Sequence, residues 1–257
     1  MISEMLSYDF IQRAFLGGVL VSLCAALLGV SLVLKRYSMI GDGLSHVSFG
    51  ALSIAIACGI APLKFAIPVV IVAAFLLLRL AENGKMRSDA AIAMVSASSL
   101  AIGVIVTSLT TGLSTDIYSY MFGSILAMSK DDVVVSGLLS VIVIIMFVAC
   151  YHKIFAVTFD ENFSKATGVK VGMYNTLISI FTAITIVVGI KMMGAMLISS
   201  LIVFPSLTSM RIFKSFKSVT ICSAILSVVN FTIGLICSYG FSIPAGASVV
   251  VANLIMY

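Results

Sequence analysis

The sequence has few charged side chains, only two histidines and no tryptophan. Charged residues make up 10% of its 257 positions, whereas a soluble domain averages about 25%. This scarcity of charge excludes an ordinary soluble protein. With His46 and His152 as the only histidines, one chain also has too few imidazoles to build a histidine-rich metal cage.

Several enzyme signatures are missing as well. The sequence contains no glycine-rich phosphate loop ending in Gly-Lys-Ser/Thr, no HExxH pair and no GxSxG elbow. We therefore do not expect an enzyme, nor a chain that itself binds ATP in a phosphate loop. The five cysteines include no CxxC pair, which argues against a zinc cluster and against a disulfide framework.

Apolar sequence is abundant instead, at 61% of all residues. Apolar runs of about twenty residues recur, and each is long enough to cross a hydrocarbon layer about 30 Å thick. The pattern predicts an all-α, polytopic transmembrane helical bundle of eight to nine spans, with residues 1–257 as a single transmembrane domain. The predicted spans are 10–34, 39–59, 62–80, 90–109, 133–151, 171–190, 195–210 and 219–239, followed by a shorter apolar run at 245–256.

The basic residues are distributed unevenly between the two sides of this bundle. Eleven of the 15 lie in the loops 35–38, 79–88, 152–170 and 211–217, which all fall on one side. Because cytoplasmic loops carry the excess of lysine and arginine, these loops are predicted to be cytoplasmic and the N-terminus external. Glu4 and Asp9 precede the first span without a cationic leader, so a cleaved signal peptide is not expected.

A carboxylate and an imidazole, Asp42 and His46, lie four residues apart at the start of the second apolar run. In a helix this spacing puts both side chains on one face, where they could bind a metal or carry a proton. Alternatively, Asp42 only caps the helix and His46 is a hydrogen-bonded packing residue. His46 would lie about 10 Å inside a helix that begins near residue 39, which is too deep for capping.

Three glycines in the same run, Gly41, Gly43 and Gly50, predict a slim helix that packs closely against a neighbour. If two copies of the chain met at a two-fold axis beside this helix, two aspartates and two histidines would come together. Four oxygen and nitrogen ligands suit a borderline divalent ion such as Zn²⁺ or Mn²⁺.

The loop 152–170 contains a second polar segment. Thr158 and Glu161 fit a capping box and Gly168 fits a helix stop, so a two-turn helix is predicted between them, with Phe159 and Phe163 on one face. A helix this short is marginal in water. Either it packs against its own bundle, or it docks into a groove on a cytoplasmic partner.

Two further segments have weaker signals. Residues 118–126 fit a surface or re-entrant helix on the outer side, or a plain interfacial helix with tyrosine anchors. In the seventh span, a proline with neighbouring hydroxyls could line a path, but ordinary membrane packing is the favoured interpretation. The residues concerned are Ser199, Ser200, Pro205, Ser206 and Thr208.

Four motifs together resemble the membrane permease subunits of metal-ion ABC importers, the ABC-3 type that takes up zinc, manganese or iron. The first runs from Arg36 to His46 with Gly50 following, and the third is Phe159-Asp160-Glu161 through Ala166-Thr167-Gly168; these two are specific. The supporting motifs are Phe122-Gly123-Ser124-Ile125-Leu126 and Gly194-Ala195-Met196-Leu197 through Phe204-Pro205. The family's Asp-Ala-Leu-Ser-His reads Asp42-Gly43-Leu44-Ser45-His46 here, and the final span is short.

The resemblance implies the fold of a type II ABC importer permease that works as a homodimer in a bacterial cytoplasmic membrane. It implies a cytoplasmic ATPase dimer, an external metal-binding protein and a transported divalent ion, with no permanently bound cofactor. It places Asp42 and His46 on the path of the ion. It makes 159–168 the coupling helix, whose residues would be Phe159, Asp160, Glu161, Phe163, Lys165 and Gly168.

Three other functions remain open at the level of sequence. A proton-coupled secondary metal carrier would use Asp42 and His46 as a proton relay. An ABC permease for a chelated metal or a cobalamin-like ligand would use the pair only structurally. The third alternative is a membrane scaffold that transports nothing.

Overall fold

The computed structural model describes residues 8–82, 88–110 and 129–257, and all regular secondary structure in those ranges is helical. The all-α prediction is therefore confirmed for the described part of the chain. Its eleven helices are α1 (Asp9–Leu34), α2 (Ile40–Ala57), α3 (Pro62–Glu82), α4 (Ser88–Leu109), α5 (Lys130–Ala149), α6 (Tyr151–Phe159), α7 (Glu161–Ala166), α8 (Val171–Met193), α9 (Ala195–Ile212), α10 (Phe216–Phe241) and α11 (Ala245–Met256).

The prediction of eight to nine spans is not confirmed. Six helices in the described ranges are long and apolar enough to cross a membrane, and a seventh span results if α5 and α6 are counted together. One of the predicted apolar runs, 245–256, forms the shorter helix α11. At 1.5 Å per residue, the twelve residues of α11 reach only about 18 Å, short of a hydrocarbon core of about 30 Å.

The helix α1 lies at the centre of the bundle, where it contacts α5, α8, α9 and α10. The helix α2 is enclosed by α3, α4, α8 and α9, and 72% of its residues are buried. By contrast, only 17% of the apolar stretch of α4 is buried, so α4 covers α2 from the outside. Most of α2 is thus enclosed by other helices of the chain, while the Asp42 and His46 side chains near its start are only partly buried.

Two sharp breaks shape the chain. Between α5 and α6 the axis turns by 72°, so α6 leaves the direction of the span that precedes it. Between α8 and α9 the only residue is Gly194, with φ 88° and ψ 159°. That backbone region is essentially restricted to glycine, which explains how α9 can begin one residue after α8 ends.

Two of the loops that the distribution of basic residues assigns to one side of the bundle are also in contact with each other. The Lys35 Nζ donates to Glu161 Oε1 at 2.8 Å, so the loops 35–38 and 152–170 lie on the same side. At the end of α9, Arg211 stacks on the ring of Tyr257 at 3.8 Å and donates to its hydroxyl at 2.6 Å. Residue 257 therefore lies at the same end of the bundle as Arg211.

Candidate functional site

Asp42 and His46 face each other at the start of α2. The helix begins at Ile40, so Asp42 is in its first turn, and the N-cap residue Met39 makes no side-chain cap hydrogen bond. The carboxylate oxygen Oδ2 lies 3.6 Å from His46 Nε2, with the Asp42 side chain 47% exposed and that of His46 25% exposed. At 3.6 Å this contact is too long for a normal hydrogen bond, so the two groups face each other without being locked together.

The separation of these two atoms fits a shared ion. Zinc lies about 2.0–2.2 Å from nitrogen and oxygen ligands, so two ligands at the tetrahedral angle are roughly 3.4 Å apart. The observed 3.6 Å needs only a small side-chain adjustment to reach that value. Among the residues that the structure describes, no group of three or more His, Cys, Asp or Glu could hold a metal. The described residues of one chain therefore supply two ligands here, fewer than the four of a closed zinc site.

The glycines of α2 are packed against helices of the same chain. A Cβ on Gly50 would lie 2.7 Å from the Ser99 carbonyl oxygen of α4, and one on Gly43 would lie 2.6 Å from Ile92 Cγ2. On the α9 side, a Cβ on Gly41 would lie 3.1 Å from Ile202 Cδ1. The small residues at these positions allow α2 to sit tightly between α4 and α9.

A pair of hydroxyls joins α2 to α9 beside the site. The Ser45 Oγ donates to the Asp42 carbonyl at 2.7 Å and lies 3.3 Å from Ser199 Oγ. Other hydroxyls of α9 bond mainly to its own backbone: Ser200 to Leu197 and Ser206 to Ile202. This is the ordinary helix packing favoured from the sequence, with Ser199 as the hydroxyl nearest to the Asp42 turn.

The segment after α6 differs from its predicted form. The helix α6 continues to Phe159, so Thr158 lies inside it, buried, and the capping box with Glu161 is wrong. Instead Asp160 is extended and caps α7: its carboxylate accepts from the Phe163 N–H at 2.9 Å. The predicted stop is correct, since Gly168 takes a left-handed φ of 83° after the helix.

One face of α7 is attached to the bundle and the other is open. Ser164 is fully buried, whereas Phe163 is 63% exposed and Lys165 is exposed. Phe159, 58% exposed, still contacts Phe155 and Phe216, with ring centroids 4.9 and 6.1 Å away. The aromatic face is thus only partly covered by the chain itself.

Glu161 links α7 to the end of α1 and to α8 through its carboxylate. It accepts from Lys35 at 2.8 Å and from Asn175 Nδ2 at 3.1 Å, while Lys35 also donates to the Asn175 Oδ1. Partial burial acts to raise the pKa of Glu161, but the hydrogen bonds from Lys35 and Asn175 and the charge of Lys35 outweigh it. The pKa therefore lies below the ordinary glutamate value, and the carboxylate is held ionised.

Sequence reasoning missed this cluster. In the sequence, Lys35 indicates only the orientation of the chain, and Asn175, which is 3% exposed, has no predicted role. An asparagine inside an otherwise apolar span is itself a signal, because buried amides need partners. The motif at 118–126 lies outside the described residues.

The chain is similar to known transport proteins along nearly its whole length. The ABC 3 transport family model matches residues 7–257. A probable metal transport system membrane protein of Treponema pallidum is 32% identical over 253 residues, covering 98% of this chain and 94% of that protein. The high-affinity zinc uptake system membrane protein ZnuB of Buchnera aphidicola is 30% identical, with coverages of 96% and 94%.

A manganese relative and a solved structure extend these similarities. The manganese import system permease protein ScaB of Streptococcus gordonii is 26% identical, covering 97% of this chain and 90% of that protein. The solved structure of PsaBC from Streptococcus pneumoniae in complex with Fab superposes with a TM-score of 0.88 at 26% identity. It covers 100% of this chain and 94% of that chain.

Proposed function

Because the chain belongs to the ABC 3 transport family, we propose that it is the membrane permease subunit of an ABC importer for a divalent metal ion. Zinc and manganese are the favoured ions, and iron is the third. The observation that carries this proposal is the family match over residues 7–257, joined by relatives named for metal, zinc and manganese transport. These relatives are transport proteins rather than enzymes, in agreement with the sequence prediction.

Asp42 and His46 are the proposed contact for the ion in transit. Their 3.6 Å separation and partial exposure support binding that is weak enough to release the ion. Since one chain supplies two ligands, we place the complete site between two copies of the chain, each contributing an aspartate and a histidine. Carboxylate and imidazole together suit Zn²⁺, Mn²⁺ and Fe²⁺, and affinity order alone does not choose among them.

The segment 159–168 is the proposed attachment for a cytoplasmic ATPase dimer. Its open aromatic face, centred on Phe163, supports a helix-in-groove contact. Asp160 caps the start of the helix, Gly168 follows its end, and Lys165 adds an exposed charge on the same helix. On this assignment the N-terminus is external, where a metal-binding protein delivers the ion, and the chain lies in a bacterial cytoplasmic membrane.

The proposal is tested by reconstituting the permease in lipid vesicles with its ATPase and metal-binding protein. Uptake of radioactive zinc and manganese is measured with ATP, with a non-hydrolysable analogue, and after collapse of the proton gradient. We expect uptake that requires ATP hydrolysis and does not depend on the proton gradient. Uptake that persists without the ATPase and follows the proton gradient would establish a secondary carrier instead.

The same vesicles distinguish a free ion from a chelate. Unlabelled Zn²⁺, Mn²⁺ and Fe²⁺ are added as competitors, and a stable metal chelate is added in parallel. Competition by at least one free ion, with none by the chelate, is the expected result. Competition by the chelate alone would contradict a free-ion importer.

A further inference from the structure

The turn between α1 and α2 is fixed in an unusual conformation. Lys35 ends α1, and Arg36 follows with a left-handed φ of 63°, a region that residues other than glycine rarely adopt. The N–H of Tyr37 bonds to the Leu32 carbonyl at 2.8 Å and that of Arg36 to the Val33 carbonyl at 3.0 Å, as in a Schellman motif. After this turn, α2 begins at Ile40 and reaches Asp42 within its first turn.

Lys35 anchors this turn to two other helices. The side chain is 7% exposed, and its ammonium donates both to Glu161 of α7 and to Asn175 of α8. Asn175 Nδ2 closes the triangle by donating to the same Glu161 oxygen at 3.1 Å. We define these three residues as the Lys35 bridge. It joins segments that are 126 and 140 positions from Lys35 in the sequence.

The bridge lies opposite the open face of α7. Glu161 holds the inner side of the helix, whereas Phe163 points outward and is 63% exposed. The helix has only six residues, too few to be stable alone, so its position depends on the residues that hold it. A cavity of about 420 Å³ beside the bridge, lined by Lys35, Tyr37, Glu161 and Lys165 among others, leaves room for such a shift.

We infer that the Lys35 bridge transmits movement of α7 to the turn that precedes Asp42 and His46, and so links ATP hydrolysis to release of the ion. This inference rests on the proposed function. When α7 is displaced, Glu161 moves with it, and Lys35 and the turn follow. They follow because separating the buried ammonium from its carboxylate partner would leave an uncompensated buried charge, which is costly in free energy. Asn175 restricts the direction of this movement, since it is hydrogen-bonded to both charged groups.

A purely structural role for the bridge makes a different prediction. Removing one charge of a buried pair leaves the other uncompensated, whereas removing both relieves that penalty. If the bridge only holds the fold, a double variant that neutralises both groups should recover transport. If the bridge transmits movement, the double variant should assemble but stay uncoupled.

The test uses the complete transporter in vesicles and measures two rates in the same sample, ATP hydrolysis and metal uptake. Lys35→Met should still co-purify with the ATPase and hydrolyse ATP, while the ions moved per ATP fall about fivefold or more. Lys35→Met with Glu161→Gln should give the same low ratio. Lys35→Arg retains a cation and its donors and should keep most of the ratio, and Lys217→Met, an exposed lysine on the same side, should keep all of it.

Three results would overturn the inference. They are an unchanged ratio in Lys35→Met, recovery of the ratio in the double variant, and loss of assembly in both variants, which would make the bridge structural. The proposed function is judged separately on the unaltered protein. If that protein takes up no metal with ATP, the importer assignment itself fails; if it does, while Lys35→Met behaves normally, only the bridge is wrong.

Discussion

At the scale of single residues, two turns of the same kind have different origins. After α7, the Val169 N–H bonds to the Ser164 carbonyl and the Gly168 N–H to that of Lys165, which repeats the pattern that follows α1. At Gly168 the left-handed φ of 83° suits the residue, and the sequence predicted the stop. At Arg36 the same conformation, with φ 63°, is imposed on a side chain that disfavours it, and no local pattern indicated it.

Gly168 and Gly172 provide a matched test of this difference. A Cβ at either position would meet no atom within 4 Å, so only backbone conformation distinguishes them. Gly168→Ala should make opening of α7 easier by about 1 kcal/mol, the cost of a left-handed alanine. Gly172→Ala, inside α8, should be neutral or stabilise its helix by up to about 1 kcal/mol. Hydrogen exchange of residues 161–168 measures the first effect, and equal exchange in both variants would contradict it.

At the scale of the helices, α2 owes its position to close contacts that only small residues allow. Its approach to α4 is limited by the backbone of Ser99, which cannot rotate away as a side chain could. Because interiors are close-packed, an added methyl group at such a contact must shift a whole helix. The same helix carries Asp42 and His46, so the close packing of α2 also determines where these two side chains lie.

Gly50→Ala tests this contact. The new Cβ would lie 2.7 Å from the Ser99 carbonyl oxygen, and the forced separation should destabilise the permease by about 1–3 kcal/mol. Gly137→Ala on α5 is the control, since its nearest neighbour, Leu20 Cδ1, is 4.0 Å away. Thermal unfolding in detergent measures both variants. A Gly50→Ala protein as stable as the control would show that α2 is not tightly held.

Much of the helix layout could be predicted from the sequence, because apolar runs determine membrane helices directly. The predicted spans 10–34 and 171–190 correspond to Asp9–Leu34 and Val171–Met193. The start of α7 could not be predicted in the same way. The helix α6 extends through Thr158 to Phe159, whose ring packs with Phe216, a residue 57 positions later, so Asp160 becomes the cap.

At the scale of the whole molecule, the candidate site depends on contacts between distant segments. The sequence predicted Asp42 and His46 as a pair, because one helical turn separates them. It could not predict that Lys35 meets Glu161 and Asn175, since these residues lie in the turn after α1, on α7 and on α8, far apart in the sequence. The structure therefore joins the proposed attachment for the ATPase to the turn before the proposed ion contact, within one chain.

The most direct test of the account is ATP-driven metal uptake by Asp42→Ala and His46→Ala, measured in vesicles that contain the ATPase and the metal-binding protein. His152→Ala is the control, because His152 is the chain's other histidine and lies exposed on α6. We predict that each of the first two variants assembles normally and loses uptake by at least about tenfold, as expected when a metal contact is removed, while the control retains it. Normal uptake by both Asp42→Ala and His46→Ala would contradict the account.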